Sequence, residues 1–194
     1  MPNQSTNNEV NAIILAAGQG TRMNSSVSKV LHEVGNKTLI QHVIDAAMPL
    51  ASSINVIIGH NSESVKKSIQ NNLVKWVLQK NQLGTGHAVM QAIPSIKKDS
   101  MCLILYGDVP LIQTQTLINL LEKANKTGFS LLTVIQNDPS GYGRIIRDSS
   151  KSIQSIIEHK DANTEELEID EINTGIMAIT GALLTKYLNQ LEPN

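Results

Sequence analysis

Short apolar runs alternate, through residue 135, with amphipathic stretches long enough for helices. The runs cover 12–17, 55–59, 75–79, 101–106 and 130–135. Between them lie helix-like stretches at 38–50, 62–70, 85–93 and 115–125, the third limited by Pro94. This is a βαβ rhythm. Its economical solution is a mostly parallel central sheet with helices on both faces, because parallel strands need long crossovers and the helices bury their apolar stripes on the sheet.

After Pro139 the rhythm is lost. Shorter strand candidates at 144–147, 153–159 and 172–179 are broken by the polar segment DANTEELEIDE, and a final helical stretch at 182–191 stops before Pro193 and Asn194. This half reads as a mixed sheet with an inserted or antiparallel portion, an arrangement that commonly builds a substrate pocket beside a nucleotide pocket. The expected class is α/β, Rossmann-like. There is no internal repeat and no dividing linker, so 194 residues with 41% hydrophobic and 17% charged content fit one globular domain, 1–194.

Several partner classes are disfavoured. A net charge of -1 supplies no field for nucleic acid or an acidic membrane, and 3% aromatic content leaves no stacking platform for single strands. The one cysteine, Cys102, lies in MCLILY and reads as a core thiol, with no disulfide framework available. The polar start MPNQSTNNEV lacks the basic and apolar regions of a signal peptide, and no apolar run approaches the ~18 residues of a membrane span. A soluble, cytoplasmic protein acting on a small molecule is expected.

In VNAIILAAGQGTRM an apolar strand runs into Gly18, Gln19, Gly20 and Thr21, where the glycines let backbone amides approach a ligand. Phosphate suits that geometry. A dinucleotide fingerprint needs Gly or Ala where Met23 stands, and a Walker A loop needs Gly-Lys-Ser/Thr, so neither spacing is met. Arg22 and Lys29 add two cations to the amide nest, which fits the charge brought by a triphosphate and a sugar phosphate. A tight structural turn with solvated cations is the alternative that the loop alone leaves open.

LAAGQGTRMNSSVSKVL resembles the signature of sugar-phosphate nucleotidyltransferases. Further along, LQKNQLGTGHAVMQA, LILYGDVPLI, GYGRIIR, IIEHKDA and EINTGIMA follow in order. Together they resemble the pyrophosphorylase domain of the bacterial bifunctional N-acetylglucosamine-1-phosphate uridylyltransferase/glucosamine-1-phosphate acetyltransferases, over about residues 10–191. The resemblance implies uridylyl transfer from UTP to N-acetylglucosamine 1-phosphate, serving peptidoglycan and lipopolysaccharide synthesis. It implies that Leu15, Ala16, Ala17, Gly18 and Gly20 contact the nucleotide, that Arg22 and Lys29 hold phosphates, and that Gln79, Gly84 and Thr85 read the base. By the same transfer, Tyr106, Gly107 and Asp108 line the junction with the sugar, whereas Gly143, Glu158, Asn173 and Thr174 contact N-acetylglucosamine.

The residue types suit this chemistry. Uracil offers a donor flanked by acceptors, which a glutamine amide beside backbone amides can meet. An exposed strand-end amide is the plain alternative for Gln79, and Thr85, flanked by Gly84 and Gly86, is a plausible N-cap whatever the chain binds. Asp108 follows the apolar run LILYG at the ligand edge expected of an α/β sheet and is the Mg²⁺ candidate. Pro110 stands where a second aspartate would complete Asp-x-Asp, and a turn-bonding role for Asp108 stays open. Arg22, Lys29 and Asp108 are the catalytic candidates. No protein nucleophile or general base is needed, because a phosphate monoester loses its second proton near pH ~6.

The other polar residues form no rival machine. His32, His42, His60, His87 and His159 show no metal-ligand spacing, and Glu165, Glu166, Glu168, Asp170 and Glu171 lack the calcium-loop pattern and read as a solvated loop. Glu158 stands apart because it closes the apolar strand IQSIIE. The resemblance also places a second magnesium ligand, an asparagine, beyond Asn194. A truncated chain with weak or no turnover is therefore expected, from a trimeric parent carrying a β-helix acetyltransferase domain. The rival readings are a nucleotidyltransferase of the same fold for another base or sugar, a catalytically silent sugar-nucleotide sensor, and an NAD-binding domain.

Overall fold

The computed structural model describes residues 9–18, 27–59, 62–69 and 71–191. In chain order its strands and helices are β1 (Val10–Leu15), β2 (Glu33–Val34), β3 (Lys37–Thr38), α1 (Leu39–Ala47), β4 (Ser53–Ile58), α2 (Glu63–Ser68), β5 (Val74–Leu78) and α3 (Thr85–Met90). They continue as β6 (Met101–Tyr106), α4 (Thr114–Thr127), β7 (Phe129–Ile135), β8 (Arg144–Arg147), β9 (Ile153–Ile157), α5 (Thr164–Leu167), β10 (Glu171–Thr180) and α6 (Gly181–Leu188). The chain forms two compact units, Met1–Ser130 with Met177–Asn194, and Leu131–Ile176.

The first unit realises the expected parallel sheet. β5, β4, β1 and β6 lie side by side and parallel, with Ile13 opposite both Asn55 and Ile104. The central runs are apolar because both faces of these strands are covered: Ala12, Ile13, Ile14, Ile54, Val56, Ile57, Leu103 and Leu105 are fully buried. Each such aliphatic side chain contributes about 1.5–3 kcal/mol on leaving water. The last residues of β10, Met177–Thr180, pair antiparallel with β6, so the sheet is mixed but mostly parallel.

Local chemistry sets the helix ends. The Thr38 hydroxyl accepts from Gln41 N at 3.3 Å and caps α1, whose Ile40, Val43, Ile44 and Ala47 form one buried stripe. Leu117, Leu120, Leu121 and Ala124 do the same for α4, which Gly128 stops in the left-handed conformation at φ 83°. Helix α3 ends at Met90, earlier than the sequence pattern indicates. Pro94 lies inside a separate 3-10 turn, Ile93–Ser95, instead of bounding the helix.

The second unit contains β8, paired antiparallel with β9 and, through Arg144 and Ile172, with β10. Its acidic stretch is not all loop. Asn163 and Glu166 form a reciprocal capping box that starts α5, while Glu171 enters β10 and receives two bonds from Arg147, at 2.7 and 2.6 Å. Both departures arise from partners that composition does not reveal. Among the described residues no helix is long and apolar enough to cross a membrane.

Candidate nucleotide site

A cavity of about 520 Å³ opens where β1, β5 and β6 end in the first unit. Its size lies in the range of small-molecule sites. Leu15, Ala16, Ala17, Gly18, Lys29, Gln79, Gly84, Thr85, Tyr106 and Asp108 all line it. Residues dispersed over nearly a hundred positions therefore meet at one sheet edge.

Backbone bonds fix the floor. Ala16 N donates to Ile57 O at 2.9 Å, and Gly107 N donates to Leu15 O at 3.0 Å, so both segments follow the sheet for one residue beyond their strands. A side chain at Gly107 would sit 3.3 Å from both Leu15 O and Val30 Cγ1, which explains a glycine between Tyr106 and Asp108. Among the described residues, nothing lies within 4 Å of the point that a Cβ at Gly18 would occupy. The fold itself does not demand glycine there, in keeping with a residue that leaves room for a ligand.

Gln79 is only 3% exposed, so it is no surface amide. Its backbone N donates to Ile58 O at 2.8 Å, and its side-chain Nε2 donates to Gly84 O at 3.2 Å and meets His87 Nδ1 at 3.0 Å. Gln79 thereby shapes the turn into α3. Gly84, at φ 95°, is the residue before that helix, and Thr85 is its first residue, so the N-cap position expected of Thr85 belongs to Gly84.

Lys29 leads the 3-10 turn Lys29–Leu31, and its Nζ lies 2.6 Å from Asp108 Oδ2. Neither side chain is buried, which keeps both charges within reach of solvent or ligand. Asp108 is the single carboxylate lining the cavity, and no group of three metal-ligating side chains occurs among the described residues. Magnesium nevertheless suits this donor set, because it is commonly held by one or two carboxylates together with substrate phosphates. Gly20 and Arg22 lie outside the described residues.

In the second unit, Gly143, Glu158 and Asn173 come together. Gly143 O accepts from Asn173 N at 2.8 Å, and a Cβ at Gly143 would stand 3.2 Å from Glu158 Oε1. Glu158 lies one residue past β9 and does not close it. Thr174 spends its hydroxyl on Leu132 O, at 2.6 Å, and the Asn173 Oδ1 accepts from Gly175 N at 2.8 Å. Arg144, 2% exposed, donates to Pro139 O at 2.7 Å and to Tyr142 O, pinning the turn that precedes Gly143.

Sequence reasoning missed three lining residues, Val30, Gln82 and Ala88. Val30 and Ala88 carry no chemical signature. Gln82 stands inside the QLGTG segment already singled out, and its polar side chain was the available signal.

The chain is 51% identical over 185 residues to the bifunctional protein GlmU of Vesicomyosocius okutanii subsp. Calyptogena okutanii (strain HA), covering 95% of this chain and 41% of that one. It is 50% identical over 183 residues to the bifunctional protein GlmU of Ruthia magnifica subsp. Calyptogena magnifica, with 94% and 40% covered. The chain thus spans about 40% of the length of these curated relatives. Among solved structures, UDP-glucose pyrophosphorylase complexed with UDP-glucose superposes with a TM-score of 0.77 at 18% identity, covering 96% of this chain and 81% of that one, and so shares the fold. Over residues 12–164 the sequence matches the MobA-like NTP transferase domain, and the chain belongs to that family.

Proposed function

We propose that the chain is a Mg²⁺-dependent uridylyltransferase domain that joins UTP and N-acetylglucosamine 1-phosphate to give UDP-N-acetylglucosamine and pyrophosphate. The observation that carries this reading is the gathering of Lys29, Asp108, Gln79 and the Leu15–Gly18 backbone around one cavity. Similarity to the two bifunctional GlmU proteins supports the choice of substrates.

A phosphate oxygen of the sugar phosphate attacks the α-phosphorus of UTP. The new P–O bond forms as the bond to the β-phosphate oxygen breaks, and pyrophosphate leaves with that electron pair. Both reactants are anionic, so the protein's task is to hold them in line and offset their repulsion. Lys29 and Arg22 supply cations to the phosphates. Asp108 would hold Mg²⁺, which when bound neutralises charge on the transferring phosphates. Gln79, Gly84 and Thr85 read the uracil edge, while Gly143, Glu158, Asn173 and Thr174 contact the acetylated sugar. In a protein built like the curated relatives, this domain would work beside a glucosamine-1-phosphate acetyltransferase in a cytoplasmic homotrimer.

Titration calorimetry with UTP, CTP, dTTP and NAD, with and without Mg²⁺, tests the nucleotide assignment. UTP should bind best, and more tightly with Mg²⁺. Binding of NAD in preference to UTP would refute the reading. UDP-N-acetylglucosamine binding more tightly than UDP-glucose tests the sugar, and equal affinity would return the acceptor to an undetermined hexose phosphate.

A further inference from the structure

Two walls of the cavity come from segments far apart in sequence, Ala16–Gly18 after β1 and the stretch from Gln79 to Thr85 that leads into α3. Backbone bonds join each to the sheet, Ala16 N to Ile57 O and Gln79 N to Ile58 O. Beyond those ties both leave the sheet. Gln82 then bridges them, donating from Nε2 to Ala17 O at 2.6 Å across 65 positions.

A single bond from an exposed side chain would ordinarily mean little, but a second residue is shaped around this one. A Cβ at Gly59, which follows β4, would lie 3.0 Å from Gln82 Nε2 and 3.3 Å from Ala17 O. The Gly59 backbone is not in the left-handed region, so conformation does not require glycine at that position. A Cβ there would press on both atoms of the Gln82–Ala17 bond by a few tenths of an ångström, and glycine leaves them room. Gly59 does not line the cavity, and its reach to the ligand is through the Gln82–Ala17 bond.

We propose that Gln82 is a positioning residue, clasping Ala17 so that the phosphate-side backbone and the base-side turn are held at a fixed separation before the nucleotide arrives, with Gly59 providing the space for the clasp. The proposal rests on the cavity being a nucleotide site. Without the clasp, Ala17 and Gly18 lose their side-chain link to the Gln79–Thr85 wall, and the incoming nucleotide must order the two walls itself. The clasp touches no base-reading group, so its loss lowers the affinity for all pyrimidine nucleotides by a common factor.

UTP binding by the chain is measured for Gln82→Glu, for Gly59→Ala and for the double variant, with thermal melting run alongside. Gln82→Glu keeps the shape of the side chain but cannot donate to a carbonyl, and its exposed position lets it fold. Gly59→Ala leaves the Gln82 amide present and only displaces it. Each single variant is expected to weaken UTP binding about ten-fold, with the UTP:CTP ratio unchanged, and the double variant should be no weaker than Gln82→Glu alone. Wild-type affinity in Gln82→Glu, independent addition of the two effects, or a changed UTP:CTP ratio would overturn the clasp. If the wild-type chain binds no nucleoside triphosphate, the reading of the cavity fails first and takes the clasp with it. Normal wild-type binding with unaffected variants defeats the clasp alone.

Discussion

Lys29 Nζ and Asp108 Oδ2 are 2.6 Å apart in the cavity, so the cation expected to meet phosphate and the carboxylate expected to meet magnesium neutralise each other. On the proposed reading, ligand and metal would divide this pair: a triphosphate would give Lys29 another anion and Mg²⁺ would take its place at Asp108, so that each event would favour the other. Lys29→Met should weaken UTP binding about ten-fold, in line with the ~1.5–3 kcal/mol of a charged hydrogen bond less what the pair already supplies. Asp108→Asn should bind UTP without Mg²⁺ at least as tightly as the wild type, yet gain little when Mg²⁺ is added. A full magnesium effect in Asp108→Asn, read by calorimetry, would remove Asp108 from the metal site.

Gln79 gives a different signature. Its buried amide holds Gly84 O and His87, so Gln79→Leu leaves the His87 Nδ1 without its donor and Gly84 O with Ala88 N alone. We expect a loss of about 1–3 kcal/mol of stability. Selectivity for UTP over CTP should also fall, because the turn that presents Gly84 and Thr85 shifts. Retained selectivity in a variant that melts lower would make Gln79 a structural residue only.

Strands were legible where an apolar run marks both ends: β6 in the parallel sheet spans Met101–Tyr106 and β8 in the second unit spans Arg144–Arg147, as their runs do. Elements set by a single partner were not. The acidic helix α5 depends on one capping box, and the placement of Glu171 in β10 depends on Arg147 from another strand. In the site, residue types pointed to Lys29 and Asp108, and the family resemblance pointed to Gln79. Their mutual arrangement, including the ion pair and the role of Gln82 toward Ala17, is long-range geometry that local spacing does not encode.

The two glycines flanking Thr85 should respond unequally to alanine. Gly84 has open space for a Cβ but sits at φ 95°, so Gly84→Ala is expected to cost about 1–3 kcal/mol through backbone strain. Gly86 has ordinary helical backbone, and its added methyl would meet only the mobile end of Leu191, at 2.6 Å. Gly86→Ala should be close to neutral, because helix propensity favours alanine by ~1 kcal/mol. Thermal melting separates the pair, and equal losses would show that space, not φ, governs this turn.

Acid should loosen the second unit through Glu171. Hydrogen bonding from Arg147 holds its carboxyl below the ordinary value of 4.5, against the opposing effect of partial burial. A depressed folded-state pKa means stability that is fully present above 4.5 and is lost as pH falls through the folded value. The bidentate geometry favours the pair, but solvent reaching the exposed Arg147 side chain screens it, so its worth is about 0.5–1 kcal/mol. Glu171→Gln should lower stability at neutral pH by that amount and flatten the decline below 4.5. An unaltered pH profile in urea unfolding would assign the acid sensitivity to other carboxylates.

Cys102 lies fully buried in β6, and burial pushes its thiol up to about 12. The thiolate, which is the reactive form, is almost absent at neutral pH, and reagent cannot reach the sulfur in the folded chain. An aromatic disulfide reagent should therefore modify the native protein no faster than the chain opens globally, and labelling should accelerate with urea in step with unfolding. Rapid native labelling would instead reveal local opening of β6 away from β1, the strand pair that carries the floor of the cavity. Cys102→Ser keeps the volume but buries a stronger polar group in an apolar setting, at a cost of about 1–3 kcal/mol. Nucleotide affinity should survive that change, since β6 supplies the cavity with Tyr106 and the residues that follow, not with its buried thiol.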